Sequence, residues 1–202
     1  MKPQNGNGKR RGRKIPEVLT ADEQARLLAL GDGQDTSSLR GRAILRLLLD
    51  TGLRASELIN LRVRDFDWET GRFMVREGKG GKDRALCLSD EDLSLLKQYS
   101  SSKLLEPNGA HVFTSLDGKK PLCGRWLRRW VKRLGEQASI VKNIHLHLFR
   151  HTLACDLLRK TNSLKVVQDT LGHEDISTTT IYARLVNHEV EHALKNLRKE
   201  NP

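Results

Sequence analysis

The order of apolar and polar positions along the chain predicts a series of helices interrupted by one β-hairpin. Thr20 followed by Glu23 forms a capping box, and the leucine-rich run 25–30 predicts a helix ended by the next glycine. Residues 38–50 are too apolar for anything but a deeply buried helix, which ends at Gly52. Further helices are predicted at 55–61, 90–99, 124–138, 148–160, 164–171 and 187–199.

Residues 72–88 change to the alternation that is typical of strands. Phe73 and Val75 occupy alternate positions, a turn rich in glycine and lysine follows at 78–83, and apolar residues resume at 85–88. This pattern predicts a β-hairpin. The sequence therefore predicts a mainly α fold with a small antiparallel β-sheet, in the α+β class.

The first sixteen residues differ in composition from the rest of the chain. They combine Gly, Asn, Pro and clustered basic residues without apolar periodicity, as expected of a mobile tail that either contacts phosphates or has no role. We favour the phosphate-binding tail. The remaining length suits one domain with its own core. We therefore expect a flexible basic tail at 1–16 and one domain at 17–202.

The charge of the chain favours a polyanionic partner. Lys and Arg number 36 against 25 Asp and Glu, a formal net charge of +11, and nucleic acid is the first candidate for such a surface. No apolar stretch approaches the roughly 20 residues needed to span a bilayer, and the N-terminus lacks the apolar core of a signal peptide. These features predict a cytoplasmic protein.

The cysteines and histidines give no pattern typical of a metal site. Cys87, Cys123 and Cys155 are far apart and odd in number, which favours reduced thiols over a closed disulfide set. His188 and His192 lie four apart on a predicted helix, but no third ligand is close in sequence. We therefore expect no bound metal.

Five short sequence motifs carry residues suited to phosphate chemistry. They are Thr-Gly-Leu-Arg-Ala-Ser-Glu-Leu at 51–58, Gly-Lys-Gly-Gly-Lys-Asp-Arg at 78–84, His-Leu-Phe-Arg-His at 147–151, Leu-Gly-His at 171–173, and Tyr182 nine residues further on. In this order and at these separations they resemble the motifs of tyrosine recombinases, the family of phage integrases and chromosome-dimer resolvases. The resemblance covers about residues 17–200. It implies the tyrosine recombinase catalytic-domain fold and the breakage and rejoining of double-stranded DNA.

The resemblance also implies a set of six catalytic residues, which are Arg54, Lys79, His147, Arg150, His173 and Tyr182. Arg54 and Arg150 match the pair that clamps the phosphate. Arginine suits this role because its rigid, permanently charged fork matches two phosphate oxygens while charge builds in the pentacovalent transition state.

The other four residues match groups that move protons or attack phosphorus. Tyr182 corresponds to the nucleophile that forms a 3′-phosphotyrosine bond, and His147 to the acceptor of its proton. Lys79, at the hairpin tip, resembles the general acid that protonates the leaving 5′ oxygen, and His173 resembles the residue that hydrogen-bonds a non-bridging oxygen. Cationic side chains replace the divalent ions of nucleases, so we expect no cofactor.

Three residues close to these motifs need separate interpretation. His151 matches a residue that supports the site by packing or hydrogen bonding, and His145 is assigned to local structure. Lys82 shares the hairpin turn with Lys79, and a slip in a flexible loop would exchange their roles. Lys79 fits the motif better.

Trp126 and Trp130 lie four apart on a predicted helix that is also strongly basic. Its basic residues are Arg125, Arg128, Arg129, Lys132 and Arg133. The tryptophans could form a stacking surface for bases. We favour core aromatics beside a solvated basic face whose arginines contact phosphates.

The sequence departs from the family pattern in one respect. Most members carry another helical domain before the catalytic one, and we expect none here, either because the chain is an excised catalytic domain or because it is a single-domain member. DNA affinity should then be weak and sensitive to salt. In the family the segment after the tyrosine often docks on a neighbouring subunit. An apolar stripe over 186–197 could do so, or could pack on its own domain. The resemblance implies a homotetramer on paired sites, with accessory proteins left open.

Three other functions remain as alternatives. A type IB topoisomerase shares much of the phosphotyrosine chemistry but relaxes supercoils without pairing two sites. A non-catalytic DNA-binding regulator would explain the charge but has little use for all six residues. A zinc-dependent nuclease would require histidines and acidic residues around a metal.

Overall fold

The computed structural model describes residues 16–30, 33–76, 83–102, 110–172, 181–183 and 186–187. In chain order its elements are α1 (Ala21–Leu28), α2 (Thr36–Thr51), α3 (Ala55–Asn60), a short 3₁₀ helix (Val63–Asp65), β1 (Arg72–Val75), β2 (Arg84–Cys87), α4 (Asp90–Ser102), α5 (Gly124–Gln137), α6 (Leu146–Thr161) and α7 (Leu164–Leu171). The predicted fold class, mainly α with a small antiparallel sheet, is confirmed.

Helix α2 is the central element of the fold. Asp35 caps its start, since Oδ1 accepts hydrogen bonds from the amides of Ser37 at 2.9 Å and Ser38 at 3.2 Å. Its apolar residues between positions 39 and 49 are buried, and the helix packs against α1, α4 and α6. It ends at Gly52 in the left-handed conformation, as the sequence predicts.

Helix α1 starts with the predicted capping box but ends earlier than predicted. Thr20 Oγ1 accepts from the Glu23 amide, and a Glu23 carboxylate oxygen accepts from the Thr20 amide. The helix ends at Leu28 because the next turn tightens, with the Leu30 amide bonding to the Leu27 carbonyl.

The predicted hairpin is confirmed as a two-stranded antiparallel sheet. Arg72 pairs with Cys87 at its open end, and Val75 pairs with Arg84 next to the turn. Phe73 and Val75 point to the core, as their alternate spacing predicts. The turn itself, residues 77–82, lies outside the described residues.

The remaining helices agree with the sequence to within a few residues. α4 extends three residues further than predicted, to Ser102, and α6 begins two residues earlier, at Leu146. α7 has the predicted bounds. The predicted helix at 187–199 lies outside the described residues except for Asn187, which is helical.

The buried apolar side chains form two clusters. The larger one contains the apolar face of α2 and parts of α3 to α6 and the hairpin. The smaller one joins the C-terminal part of α6 to α7, and it includes Cys155, Leu171 and Tyr182. Tyr182, although far along the chain, is thus held against α6 and α7.

The two tryptophans of α5 are partly buried and pack at the edge of the core, which agrees with the interpretation that we favoured. Both pack against the larger cluster, their rings stack with centroids 5.6 Å apart, and the Arg40 guanidinium lies 4.7 Å from the centroid of the Trp126 ring. The basic residues of α5 are exposed, and they are Arg125, Arg128, Arg129, Lys132 and Arg133. This helix therefore presents a positive surface to solvent.

Within the described ranges, no helix is both long enough and apolar enough to span a membrane.

Candidate active site

Arg54 lies in the tight turn between α2 and α3. Gly52 adopts a φ of +59°, which ends α2 and makes Arg54 the N-cap residue of α3. A Cβ atom on Gly52 would lie 2.8 Å from Leu171 and 3.0 Å from Leu153. The turn is therefore packed closely on α6 and α7, and this packing fixes the backbone that carries Arg54.

The buried carboxylate of Glu57 holds the Arg54 side chain in place. Arg54 Nη1 donates to Glu57 Oε1 at 2.6 Å, and the Arg54 amide donates to Oε2 at 2.8 Å. Arg84 of β2 binds the same carboxylate through both Nη atoms, at 2.9 and 2.8 Å. Burial opposes ionisation of Glu57, but the hydrogen bonds from Arg84 and Arg54 outweigh it and lower its pKa to about 2. Glu57 is thus a permanent anion between two arginines.

Arg150 is buried where two helices end. Its Nη1 donates to the Gly52 carbonyl at 2.8 Å, and its Nη2 donates to the Leu171 carbonyl. Both carbonyls lie at helix C-termini, where the helix dipole favours a cation. Burial, followed by the charge of Arg54, lowers the pKa of Arg150 to about 10, so it remains charged at neutral pH.

The described part of this cluster carries an excess of positive charge. Three guanidinium groups, those of Arg54, Arg84 and Arg150, accompany the single carboxylate of Glu57. Arg54 is the more open of the two arginines bound to Glu57, since 20% of its side chain is exposed against 9% for Arg84. Such a cluster suits an anion that approaches from the Arg54 side.

The Tyr182 hydroxyl lies beside this cluster and is hydrogen-bonded to His151. The distance from Tyr182 Oη to His151 Nδ1 is 3.0 Å, and Tyr182 is only 2% exposed. Burial raises the pKa of Tyr182 to about 12, although the charges of Arg150 and Arg54 oppose the rise. The phenol is therefore protonated at neutral pH.

His151 is neutral in this arrangement. Burial, with smaller contributions from the nearby His147, His145 and Arg150, lowers the pKa of His151 to about 4. With the proton placed on Nε2, the Tyr182 hydroxyl donates to Nδ1. His151 thus makes a hydrogen bond of the kind that a supporting residue would make, and its partner is the candidate nucleophile.

His147 lies one turn before His151 on α6 and is exposed at the surface. The centroids of the two imidazole rings are 6.4 Å apart. Burial of part of the ring and the charges of His145, Arg150 and Arg54 lower the pKa of His147, so it is also neutral at pH 7. A neutral imidazole can accept a proton.

A cleft of about 310 Å³ opens between the Arg54 turn and the start of α6. It is lined by Leu53, Arg54, Ala55, Arg128, Val131, His145, Leu146 and His147. His145 also caps α6, since its Nδ1 accepts from the Leu148 amide at 3.2 Å, which agrees with its assignment to local structure. The cleft places side chains of Arg54, Arg128 and His147 around one space.

Two of the six predicted catalytic residues, Lys79 and His173, lie outside the described residues, as does Lys82. The nearest described residues on the chain are Arg76 and Asp83 for Lys79, and Gly172 for His173. The hairpin that carries Lys79 continues into Arg84, and Gly172, directly before His173, accepts a hydrogen bond from Arg54 Nη2 at 3.4 Å. The roles of both residues stay predictions.

Sequence reasoning gave no role to Glu57 or Arg84, although both lie within the quoted motifs. The spacing of Arg54 and Glu57 was a usable signal, because a glutamate three residues after an N-cap position can reach back to its amide. Arg84 had no comparable signal. Its partnership with Glu57 spans 27 residues and depends on how the hairpin packs.

No group of three or more His, Cys, Asp or Glu side chains in the described ranges could hold a metal ion. His188 and His192 lie outside those ranges, so the expectation of no metal stays a prediction. All three cysteines lie in the described ranges, and none of them forms a disulfide bond. Cys155 is buried, whereas Cys87 and Cys123 are exposed.

Comparison with known proteins assigns this chain to a family. Residues 17–189 match the model of the phage integrase family. A tyrosine recombinase of Thermosipho africanus is 38% identical over 185 residues, which are 92% of this chain and 63% of that protein. Tyrosine recombinase XerA of Pyrococcus horikoshii is 31% identical over 186 residues, 91% of this chain and 62% of that protein. The chain thus spans somewhat less than two thirds of these relatives.

Solved structures show the same fold. The XerA recombinase superposes with a TM-score of 0.74 at 31% identity, covering 88% of this chain and 65% of that one. The XerH site-specific recombinase in a post-cleavage complex with palindromic difH DNA gives a TM-score of 0.78 at 28% identity, covering 95% and 56%. The catalytic domain of bacteriophage HP1 integrase, at 24% identity and a TM-score of 0.62, shares the fold over 92% of this chain and 97% of that domain.

Proposed function

Because the chain belongs to the phage integrase family, we propose that it is a site-specific DNA recombinase that cleaves and rejoins strands through a 3′-phosphotyrosine bond at Tyr182. The observation that carries this proposal is the Tyr182 hydroxyl, hydrogen-bonded to His151 and close to the charges of Arg150 and Arg54. These residues come from three separate segments. Their meeting point combines a nucleophile with cations suited to a phosphate.

In this proposal Arg54 and Arg150 bind the scissile phosphate. Arg54 is partly exposed toward the cleft that also contains Arg128 and His147. Arg150 lies behind it, fixed by two carbonyls. In the proposed reaction both guanidinium groups stabilise the negative charge that develops on the non-bridging oxygens of the pentacovalent phosphorane. Their charges are in place before DNA binds, which limits the reorganisation that the reaction requires.

Attack on phosphorus requires the phenol to lose its proton. His147 is the proposed acceptor, and His151 is the residue that holds Tyr182 before DNA arrives. The bound phosphate brings negative charge that raises the pKa of both histidines and makes them better bases. Because Tyr182 is almost completely buried, its side chain must also move toward the phosphate.

The bond from phosphorus to the 5′ oxygen breaks as the Tyr182 oxygen attacks. Lys79 is proposed to donate a proton to that oxygen, which leaves as a 5′ hydroxyl, and His173 to hydrogen-bond a non-bridging oxygen. The phosphodiester energy is retained in the phosphotyrosine bond. A 5′ hydroxyl from another strand can therefore reverse the attack, expel Tyr182 and rejoin DNA without ATP, a cofactor or a metal.

The proposed substrate is double-stranded DNA, in keeping with the net charge of +11. We propose that four copies assemble on two paired sites and that the reaction takes place in the cytoplasm. A topoisomerase would relax a supercoiled plasmid that carries no paired sites, whereas a recombinase requires them. A non-catalytic regulator would form no covalent adduct.

The test uses a nicked suicide substrate, from which the cleaved strand diffuses away and leaves the adduct trapped. Tyr182→Phe removes the attacking oxygen and should bind DNA like the parent but form no adduct. Tyr99→Phe, which changes the only other tyrosine in the chain, is the matched control and should retain cleavage. The parent should cleave equally well in chelator. An adduct on Tyr182→Phe would refute the assignment of the nucleophile.

A further inference from the structure

The carbonyls of the last two residues of α7 and of its C-cap residue Gly172 each accept a hydrogen bond from a different arginine. Thr170 accepts from Arg84 Nε at 3.0 Å, Leu171 accepts from Arg150, and Gly172 accepts from Arg54 Nη2 at 3.4 Å. Orphan carbonyls at a helix C-terminus attract cations. Two of these arginines already have proposed roles in phosphate binding. The third, Arg84, has none.

Arg84 connects segments that carry different parts of the proposed mechanism. It is the first residue of β2, in the hairpin whose turn contains Lys79. Its two Nη atoms donate hydrogen bonds to both carboxylate oxygens of Glu57, and Glu57 also accepts a hydrogen bond from Arg54. Its Nε bonds to α7 two residues before Gly172.

The contacts of Arg84 leave its guanidinium little freedom. A Cβ atom on Gly172, which has a φ of +63°, would lie 3.2 Å from Arg84 Cδ and 3.3 Å from Nη1. All three guanidinium nitrogens donate to protein acceptors, and the side chain is only 9% exposed. Arg84 is therefore much less available to a phosphate than Arg54 is.

We propose that Arg84 is a positioning residue that fixes the Lys79 hairpin relative to the Arg54–Arg150 phosphate clamp. The proposal rests on the proposed recombinase function. A guanidinium can hold both carboxylate oxygens and the Thr170 carbonyl at once because its donors point in fixed directions, which a lysine cannot reproduce. The three hydrogen bonds of the Arg84 guanidinium fix β2 against Glu57 and α7. The strand that follows the turn with Lys79 is then held at a fixed place beside the clamp.

The variants separate this positioning role from loss of folding. Arg84→Lys keeps a positive charge near the buried Glu57 but loses the fork, and Arg84→Met also loses the charge. Arg76→Met is the matched control. Arg76 follows β1 in the same hairpin, and among the described residues it forms ion pairs with the buried Asp65, at 2.6 Å, and with Asp83, at 3.9 Å. Thermal unfolding of each full-length variant would show whether it is folded.

The measurement is single-turnover cleavage of suicide substrates with either oxygen or sulphur at the bridging 5′ position. A thiolate leaves without a proton, so the sulphur substrate does not require a general acid. We expect Arg84→Lys to cleave the oxygen substrate at least about 10-fold more slowly than the parent, which is a partial loss of the roughly 10²–10⁴-fold that general acid catalysis contributes. The sulphur substrate should recover most of that loss, as it should for Lys79→Ala. DNA affinity and its salt dependence should stay unchanged.

Each contrary result has its own meaning. If sulphur rescues Lys79→Ala but not Arg84→Lys or Arg84→Met, Arg84 does not position the acid and the proposal is wrong. A loss of DNA affinity with a shallower salt dependence would make Arg84 a phosphate contact, which also overturns it. If Arg76→Met cleaves the oxygen substrate as slowly as Arg84→Lys does, the defect comes from general weakening of the hairpin, and the proposal is also wrong. If the parent forms no adduct on either substrate, the recombinase function itself fails. If the sulphur substrate rescues Lys82→Ala but not Lys79→Ala, Lys82 is the general acid. The positioning role of Arg84 is then still supported, because both lysines lie in the same turn.

Discussion

His151 is buried against Tyr182 in its neutral form, and this makes the folded state sensitive to acid. The pKa of His151 is about 4 in the folded protein and 6.5 in the unfolded chain. Between these values the unfolded state binds a proton that the folded state does not, so stability falls as the pH falls. Above pH 6.5 His151 is neutral in both states, so this loss of stability is absent. At about pH 4.5 it is on the order of 2–3 kcal/mol, since each pKa unit corresponds to about 1.4 kcal/mol.

This first prediction can be tested with His151→Gln, which keeps a polar side chain but does not titrate. Chemical denaturation at pH 7 and at pH 4.5 should show a smaller loss of unfolding free energy in the variant. Asp50 has the opposite effect on stability in the same pH range. Desolvation and the nearby Asp92 raise the pKa of Asp50 to about 6, so its protonation stabilises the folded state as the pH falls. Glu57 has a lowered pKa of about 2, so the stability that its ionised form contributes is lost at still lower pH. Both are present in parent and variant, so they cancel in the difference. Equal acid sensitivity of the two proteins would contradict the prediction.

At the scale of elements, the end of α2 is the point on which the arginine clamp depends. Gly52 has a φ of +59° and presents its carbonyl to Arg150. Gly52→Ala would force an L residue into the left-handed region, at roughly 1–2 kcal/mol, and would push on Leu171 and Leu153. We expect Gly52→Ala to lose more stability than this backbone strain alone would cost. Cleavage should also slow, because Arg54 lies on this turn and Arg150 binds its Gly52 carbonyl.

Gly118→Ala is the control for this second prediction. Gly118 has a φ of +73° in an exposed loop away from the candidate site, so alanine there meets the same backbone strain. Denaturation and suicide-substrate cleavage of the two variants should show a larger stability loss for Gly52→Ala and a cleavage defect only there. Similar effects on cleavage would show that the α2 turn does not position the arginines.

Most elements could be predicted because their signals are local. The Thr20–Glu23 capping box, the apolar run of α2 and the alternation of Phe73 and Val75 depend on neighbours within a few residues. The early end of α1 could not be predicted, since a tightened last turn leaves no mark in composition. The helical and sheet content was therefore readable from the sequence, while some boundaries depended on details of backbone geometry.

The site was predictable only in part, for a related reason. The resemblance identified Arg54, Arg150 and Tyr182, which the fold brings close together. It did not reveal that Glu57 serves two arginines or that Tyr182 bonds to His151, because those contacts join residues far apart in the sequence. Long-range partners of buried charges depend on tertiary packing, and no periodicity encodes them.

At the scale of the whole molecule, the segment after Tyr182 bears on the proposal that copies of the chain assemble on paired DNA sites. Val186 packs against the smaller apolar cluster of its own domain, together with Tyr182. The apolar stripe predicted from the sequence continues beyond it, at positions that the structure does not describe, with Val190, Ala193, Leu194 and Leu197. A stripe of this kind needs a partner surface, either on its own domain or on a neighbouring subunit.

We predict that removal of residues 187–202 weakens the pairing of two DNA sites more than it weakens cleavage of one. The cut spares Val186 and the other described members of the Tyr182 cluster, so the nucleophile should keep its surroundings. Adduct formation on a suicide substrate measures cleavage, and capture of a labelled site by an immobilised one measures pairing. In the full chain, Leu194→Glu should reproduce the pairing defect, whereas Asn196→Glu, off the apolar stripe, should not. If the truncated protein loses thermal stability, cleavage and pairing together, the stripe packs on its own domain, and docking between subunits is excluded as its role.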